Sequence, residues 1–228
     1  MGIVCDLAID RLADRLARLT ERGIATVVER RGPAIARTAE RLQREHPHRT
    51  PSQLARVAIA RSSRLLAGTG AASALPATLP GAGTVTEIGA ALGDFSLLTA
   101  THAELVLTIA YLYGRPLDDV AGRRLDVLMA MGVEAGVVDL HRNGAVKVMG
   151  RVYADRELRG PAGRELAARL NRRLAGQVVG RLARRRAHVI IGREVPLLGI
   201  SVAAGYNLWS TRKVGNAARA YFQHISSR

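Results

Sequence analysis

Cysteine occurs once in the 228 residues, at Cys5, so no intrachain disulfide and no cysteine-based metal cluster can form. Aromatic residues make up only 4%, with one tryptophan and two phenylalanines, so a core must be built from small and branched aliphatic side chains. Stacking recognition of single-stranded nucleic acid needs aromatics interleaved with cations, and Arg181, Arg184, Arg185 and Arg186 have none beside them. Long apolar runs are also missing. The best candidate, 88–113, is interrupted by Asp94, His102 and Glu104, and an acidic side chain at bilayer centre costs about 2.5–3.5 kcal/mol. A second run, 195–209, is 15 residues, short of the ~20 that cross a bilayer. The start of the chain has neither a basic, apolar secretory leader nor the Ser or Thr of a myristoylation signal, so a cytoplasmic protein is expected.

What is present is charge of one sign. Lys+Arg number 34 against 19 Asp+Glu, a net +15, and all the basic residues except Lys147 and Lys213 are arginine. The last 78 residues carry +12 of that total, whereas residues 61–114 are close to neutral. A basic segment beside an apolar one points to an anionic partner, a membrane surface or a nucleic acid. A GC-rich coding composition accounts for arginine over lysine but less well for the clustering. With 48% hydrophobic residues the chain can offset its folding entropy, so a globular fold is expected.

The periodicity is helical nearly throughout. Leu12, Leu16 and Leu19 mark one face of a helix over 3–30, and Asp14 sits four residues before Arg18. Pro33 opens a second helix to about Arg44, and Thr50-Pro51-Ser52-Gln53 forms a capping box for a third that ends at Gly68. A helix-turn-helix DNA reader over 33–67 is the sharper reading of this pair; two packed helices with solvated arginines is the ordinary one. The Gly/Pro/Ala stretch 68–83 lacks the Gly-Lys-Ser/Thr of a phosphate loop. Thr84 and Glu87 form another capping box, opening the longest helix, which Gly114 and Pro116 close. The next helix is expected from Pro116, with Asp118 and Asp119 in its first turn. Short helical pieces then fill 126–150, apart from one strand over 145–153. Pro161 opens a basic helix to Val189, Pro196 an apolar helix to Trp209, and 211–226 forms the last. Three glycine pairs four apart, Gly89/Gly93, Gly132/Gly136 and Gly176/Gly180, predict close helix packing.

Few residues suit chemistry. Asp94, His102 and Glu104 lie within the apolar helix and are the buried polar candidates. A dinuclear metal bundle needs Glu-x-x-His pairs on facing helices, and the one such spacing here, Glu45-His46-Pro47-His48, falls in an expected turn with a proline inside it. A buried Asp94 needs a cation or donors, and Arg123 or Arg124 is the ordinary partner. His102 on an apolar stripe reads as a satisfied core histidine. Ser96, Ser201 and Ser210 lack a nucleophile elbow. No catalytic residue, metal or cofactor is therefore assigned. Arg181, Arg184 and Arg185 share a helix face, the pattern of a membrane-surface helix. With Arg172, Arg173, Arg186, Arg212 and Lys213 they make the expected anionic-surface site.

Three stretches together resemble the EcsC family of bacterial proteins. They are His46-Pro47-His48-Arg49-Thr50-Pro51-Ser52-Gln53-Leu54-Ala55, then Leu79-Pro80-Gly81-Ala82-Gly83-Thr84 through Asp94 to Ile109-Ala110-Tyr111-Leu112-Tyr113-Gly114, and Val195-Pro196-Leu197-Leu198-Gly199 through Asn207 to Ala217-Ala218. The resemblance covers about half the chain and leaves 151–194 unmatched. It implies an all-helical, membrane-associated protein, in some relatives linked to an ABC transporter, with no catalytic residue to carry over.

The expectation is one all-α domain, a helical bundle around a long buried helix at 84–113, with helices joined by Gly/Pro loops. Its parts are amphipathic N-terminal helices (1–67), apolar core helices (84–150) and basic C-terminal helices (151–228). The expected function is non-enzymatic: a peripheral protein on the inner face of the membrane, or an adaptor, that binds anionic lipid or a membrane protein. The alternatives are a carrier holding a lipid or other apolar ligand, and a nucleic-acid binder.

Overall fold

In the computed structural model the backbone is described for residues 2–73, 84–141, 144–148, 150–154, 157–158, 163–191 and 199–226. Side chains are described for 14–67, 96–141, 144–148, 150–154, 157–158, 165–181, 184 and 205–226. Seven long helices and one small sheet make up these residues: α1 (Gly2–Arg30), α2 (Gly32–Glu45), α3 (Pro51–Ser73), α4 (Thr84–Leu112), α5 (Val120–Ala135), β1 (Val138–Leu140), β2 (Ala145–Val148), β3 (Arg151–Ala154), α6 (Gly163–Ile191) and α7 (Gly199–Ser226). The protein is a helical bundle. The helix expected at its centre is there: α4 packs on α1, α2, α3, α5 and α7, and from Leu98 to Leu112 it is buried on nearly every side.

Local chemistry sets the helix ends. At α3 the capping box forms in full, with Thr50 N–H donating to Gln53 Oε1 at 2.9 Å and Gln53 N–H to Thr50 Oγ1 at 3.3 Å. At the end of α4, Arg115 N–H reaches Ala110 O at 3.0 Å and Gly114 N–H reaches Tyr111 O at 2.9 Å. Gly114 adopts φ +78°, the left-handed conformation that this closure requires. The Thr84/Glu87 capping box and the Gly89/Gly93 pair fall on side chains outside the described residues.

Several boundaries differ from expectation. α5 begins at Val120 rather than Pro116, because Asp119 is the cap and not a first-turn residue. Its carboxylate accepts from Ala121 N–H at 3.0 Å and Gly122 N–H at 2.9 Å, satisfying donors that would otherwise be orphaned. α3 runs past Gly68 to Ser73; a glycine costs about 1 kcal/mol inside a helix but does not by itself end one. The two helices expected at 196–226 are one. Thr211 Oγ1 donates back to Asn207 O at 2.6 Å, so the Ser-Thr pair is accommodated inside α7 without a break.

The largest correction lies between α5 and α6. In place of helical pieces and one strand, 138–154 folds into a three-stranded antiparallel sheet of order β1-β2-β3. Val138 pairs with Val148, Asp139 with Lys147, and Lys147 with Val152. Val138, Val146 and Val148 point into the core, and Asp139 faces Lys147 across the outer side, an opposite-charge cross-strand pair. Gly150, at φ +81°, makes the β2–β3 turn where a continuous strand was expected.

The helix packing fixes a common orientation for α3, α4 and α7. Ile59 of α3 lies against Gly215 of α7, and Asn207 Nδ2 of α7 donates to Leu66 O of α3 at 3.5 Å, so these helices are antiparallel. His102 meets Thr211 and Tyr113 stacks on Phe222, so α4 and α7 run parallel. The C-terminal end of α3 and the N-terminal ends of α4 and α7 therefore lie at one end of the bundle.

Candidate anionic-surface site

The expected basic residues do not form one sheet of charge. α6 packs on α1 and α5, whereas α7 packs on α3, α4 and α5. Arg172 and Arg173 are exposed on the outer face of α6, opposite the buried stripe of Leu170, Leu174 and Val178. Arg184 is exposed one turn beyond Arg181. Arg185 and Arg186 lie outside the described side chains. Arg181 is committed within the fold: its Nη1 donates to Ala135 O at 3.2 Å and Gly136 O at 2.8 Å, capping the carbonyl end of α5 with a positive charge.

Lys213 of α7 approaches the same end of α5. Its Nζ is 3.6 Å from Glu134 Oε1, on a carboxylate only 6% exposed, and sits 4.8 Å from the centre of the Trp209 ring. Trp209 is itself 52% exposed and tilts against Tyr206, ring centres 5.7 Å apart. Arg212, exposed beside Lys213, makes no ion pair among the described residues. Thus α7 carries an exposed tryptophan with an exposed arginine and a half-engaged lysine one turn further on.

Two further exposed apolar side chains lie at this level of the bundle. Leu65 on α3 is 64% exposed and Leu97 on α4 is 48% exposed, and Arg64 is exposed next to Leu65. Beyond them, the helical segments 66–73, 84–95 and 199–208 contain only Glu87 and Asp94 as charged residues. This end of the bundle is apolar in sequence, and cations flank its described edge.

The buried polar candidates separate. Asp94 lies outside the described side chains. Of its expected partners, Arg123 is buried against Gly32 and Arg124 is exposed. His102, 5% exposed, is a core histidine. Thr211 spends its single hydroxyl proton on Asn207 O, so at 3.2 Å it can only accept from His102 Nε2. With Asn207 on Leu66 O, this ties α3, α4 and α7 through one polar network. Glu104 faces a groove instead, bridged to Arg31 at 3.0 Å; burial pushes its carboxyl above the usual range and the Arg31 guanidinium pulls it back.

Residue spacing missed the Leu65, Leu97 and Trp209 edge. The signal was present: the chain's one tryptophan stands three residues before Arg212. Among the described residues no helix is long and apolar enough to cross a membrane. Comparison with protein-family models, with curated proteins and with solved structures finds no match for this chain.

Proposed function

We propose that this chain is a non-enzymatic peripheral membrane or adaptor protein of the EcsC-like class that meets an anionic bilayer surface through its basic C-terminal part, with α7 as the contact helix. One observation carries the reading: exposed Leu65, Leu97 and Trp209 all stand at the charge-poor end of α3, α4 and α7, with exposed Arg64 and Arg212 close to them in sequence. Tryptophan and tyrosine favour the bilayer interface, where the ring is half in hydrocarbon and its N–H or O–H half in water. Arginines beside such a belt reach lipid phosphates, and each one near an anionic leaflet adds attraction that salt screens within about 10 Å at 0.1 M. Arg172, Arg173 and Arg184 on α6 supply longer-range attraction on a separate flank.

Co-sedimentation with phosphatidylglycerol and phosphatidylcholine vesicles at low and high salt tests this. Binding to the anionic vesicles, weakened by salt and by Trp209→Ser with Leu65→Ser, supports it. A protein that stays in the supernatant with anionic vesicles at low salt overturns it. Duplex DNA that binds the double variant as tightly as the parent while vesicles bind neither selects the nucleic-acid reading instead.

A further inference from the structure

Between α2, α3 and α4 lies an open groove of about 270 Å³, which shares only Leu65 with the edge proposed to meet the bilayer. It exists because α2 and α3 both lean on α4 and scarcely pack on each other. Each helix contributes one stripe at helical spacing: Ile35, Thr38 and Leu42 from α2, with Arg31 at its N-cap, Ala58, Arg61 and Leu65 from α3, and Thr101, Glu104, Leu105 and Thr108 from α4. The floor is apolar, since Ile35, Leu42 and Leu105 are buried.

The rim is cationic. Arg31, Arg41 and Arg61 stand around the groove against one lining carboxylate, Glu104. Arg31 is bridged to Glu104 at 3.0 Å, and Arg61 is bridged to Glu45 at 2.7 Å. The Arg61 hydrogen bond holds the Glu45 carboxyl below the usual range, with a smaller pull from the charge of Arg41, which is exposed and makes no ion pair among the described residues. A guanidinium without a partner beside a second one presents a forked donor set matched to a carboxylate or phosphate.

We infer that this groove binds a single-chain anionic amphiphile, with its tail on the Ile35, Leu42 and Leu105 floor and its carboxylate or phosphate monoester on Arg41 and Arg61. The dimensions favour one chain, because about 270 Å³ falls just below the range of roughly 300–1,000 Å³ that encloses drug-sized ligands. Charge complementarity selects the sign: Glu104 and Glu45 engage Arg31 and Arg61, and Arg41 is left as the uncompensated cation at the rim. Leu65, the exposed apolar member of the α3 stripe, leads the groove toward the charge-poor end of the helix. The inference stands on the groove alone and does not depend on vesicle binding.

Calorimetric titration of the whole chain with octanoate, decanoate, decanol and decyl phosphate, each below its micelle concentration, tests it. Decanoate should bind about fifteenfold more tightly than octanoate, since each of its two extra buried methylenes is worth roughly fourfold. Arg41→Glu should weaken decanoate at least tenfold and leave decanol unchanged, Glu104→Gln should tighten decanoate, and Ser62→Phe, which fills the groove, should abolish both. Tighter binding of decyl phosphate than of decanoate supports the site with a phosphate headgroup as its source, and the reverse order supports it with a free fatty acid. Trp209→Ser should leave decanoate affinity intact, which separates this site from the membrane edge. No decanoate binding, decanol binding as tight as decanoate, or an Arg41→Glu variant that binds like the parent overturns the inference.

Discussion

Gly215 is where α7 comes closest to α3, and replacing it with alanine gives a sign that local propensity alone would get wrong. A Cβ at this position would lie 2.5 Å from Ile59 Cγ1, 3.1 Å from Cδ1 and 3.2 Å from Cγ2. Three atoms of one branched side chain crowd the site, and a χ1 rotation only exchanges one γ carbon for another. The helices must part, at an overpacking cost of about 1–3 kcal/mol. Against this stands the gain of about 1 kcal/mol from replacing glycine in a helix interior. The net is a destabilisation of about 1 kcal/mol within a range of about 0–2. For a chain of this size that lowers Tm by about 2–4 °C. Gly176 and Gly180 on α6 provide the control, because a Cβ there meets nothing within 4 Å. Gly176→Ala should therefore stabilise by up to about 1 kcal/mol. Thermal unfolding followed by circular dichroism measures both, and Gly215→Ala should cost less in an Ile59→Val background, where a methyl is missing. If Gly215→Ala raises Tm as much as Gly176→Ala, or its effect is the same in both backgrounds, the close α3–α7 contact is refuted.

Other expectations follow from single groups. Asp119→Ala removes the acceptor for two N–H groups at the start of α5 and should destabilise by about 1 kcal/mol, whereas Asp118→Ala should be near neutral; chemical denaturation distinguishes them. Glu104 has its folded pKa raised above 4.5, chiefly by burial, so the folded state holds that proton more tightly than the unfolded one. Its contribution is therefore greatest at low pH and is lost as pH rises from the unfolded value through the folded one. The stability of the parent relative to Glu104→Gln should fall over that window, and a flat or rising difference would contradict the burial of this carboxyl.

The features that could be read directly from sequence were those set by neighbouring residues. The Thr50/Gln53 box and the Gly114–Pro116 stop depend on groups within a few positions of each other, so their residue types carry the answer. The same holds for the burial of α4, whose apolar residues leave no polar face between Leu105 and Leu112. The sheet was harder to see because three- and four-residue strands carry too few alternations to compete with helical periodicity. Val146-Lys147-Val148 between Gly144 and Gly150 was the only trace of it.

Contacts between distant segments could not be read from spacing. Gly132/Gly136 and Gly176/Gly180 share a pattern, yet Gly132 is closed over by Val138 while the α6 pair faces open space. Arg181 looks like its solvated neighbours in sequence and is instead a cap on another helix. The groove is built from stripes on three helices, and its unfilled space depends on how α2 and α3 diverge. The apolar edge similarly required knowing that the ends of α3, α4 and α7 coincide.

Trp209 is the only tryptophan in the chain, so its fluorescence reports on that edge without interference. Titrating the whole protein with phosphatidylglycerol vesicles at low salt should shift its emission to shorter wavelength as the half-exposed ring enters the interface. Phosphatidylcholine vesicles should shift it less, and Arg64→Glu with Arg212→Glu should weaken the response. An emission maximum that stays fixed while the protein co-sediments with anionic vesicles would place the contact elsewhere and contradict the assignment of α7 as the membrane-facing helix.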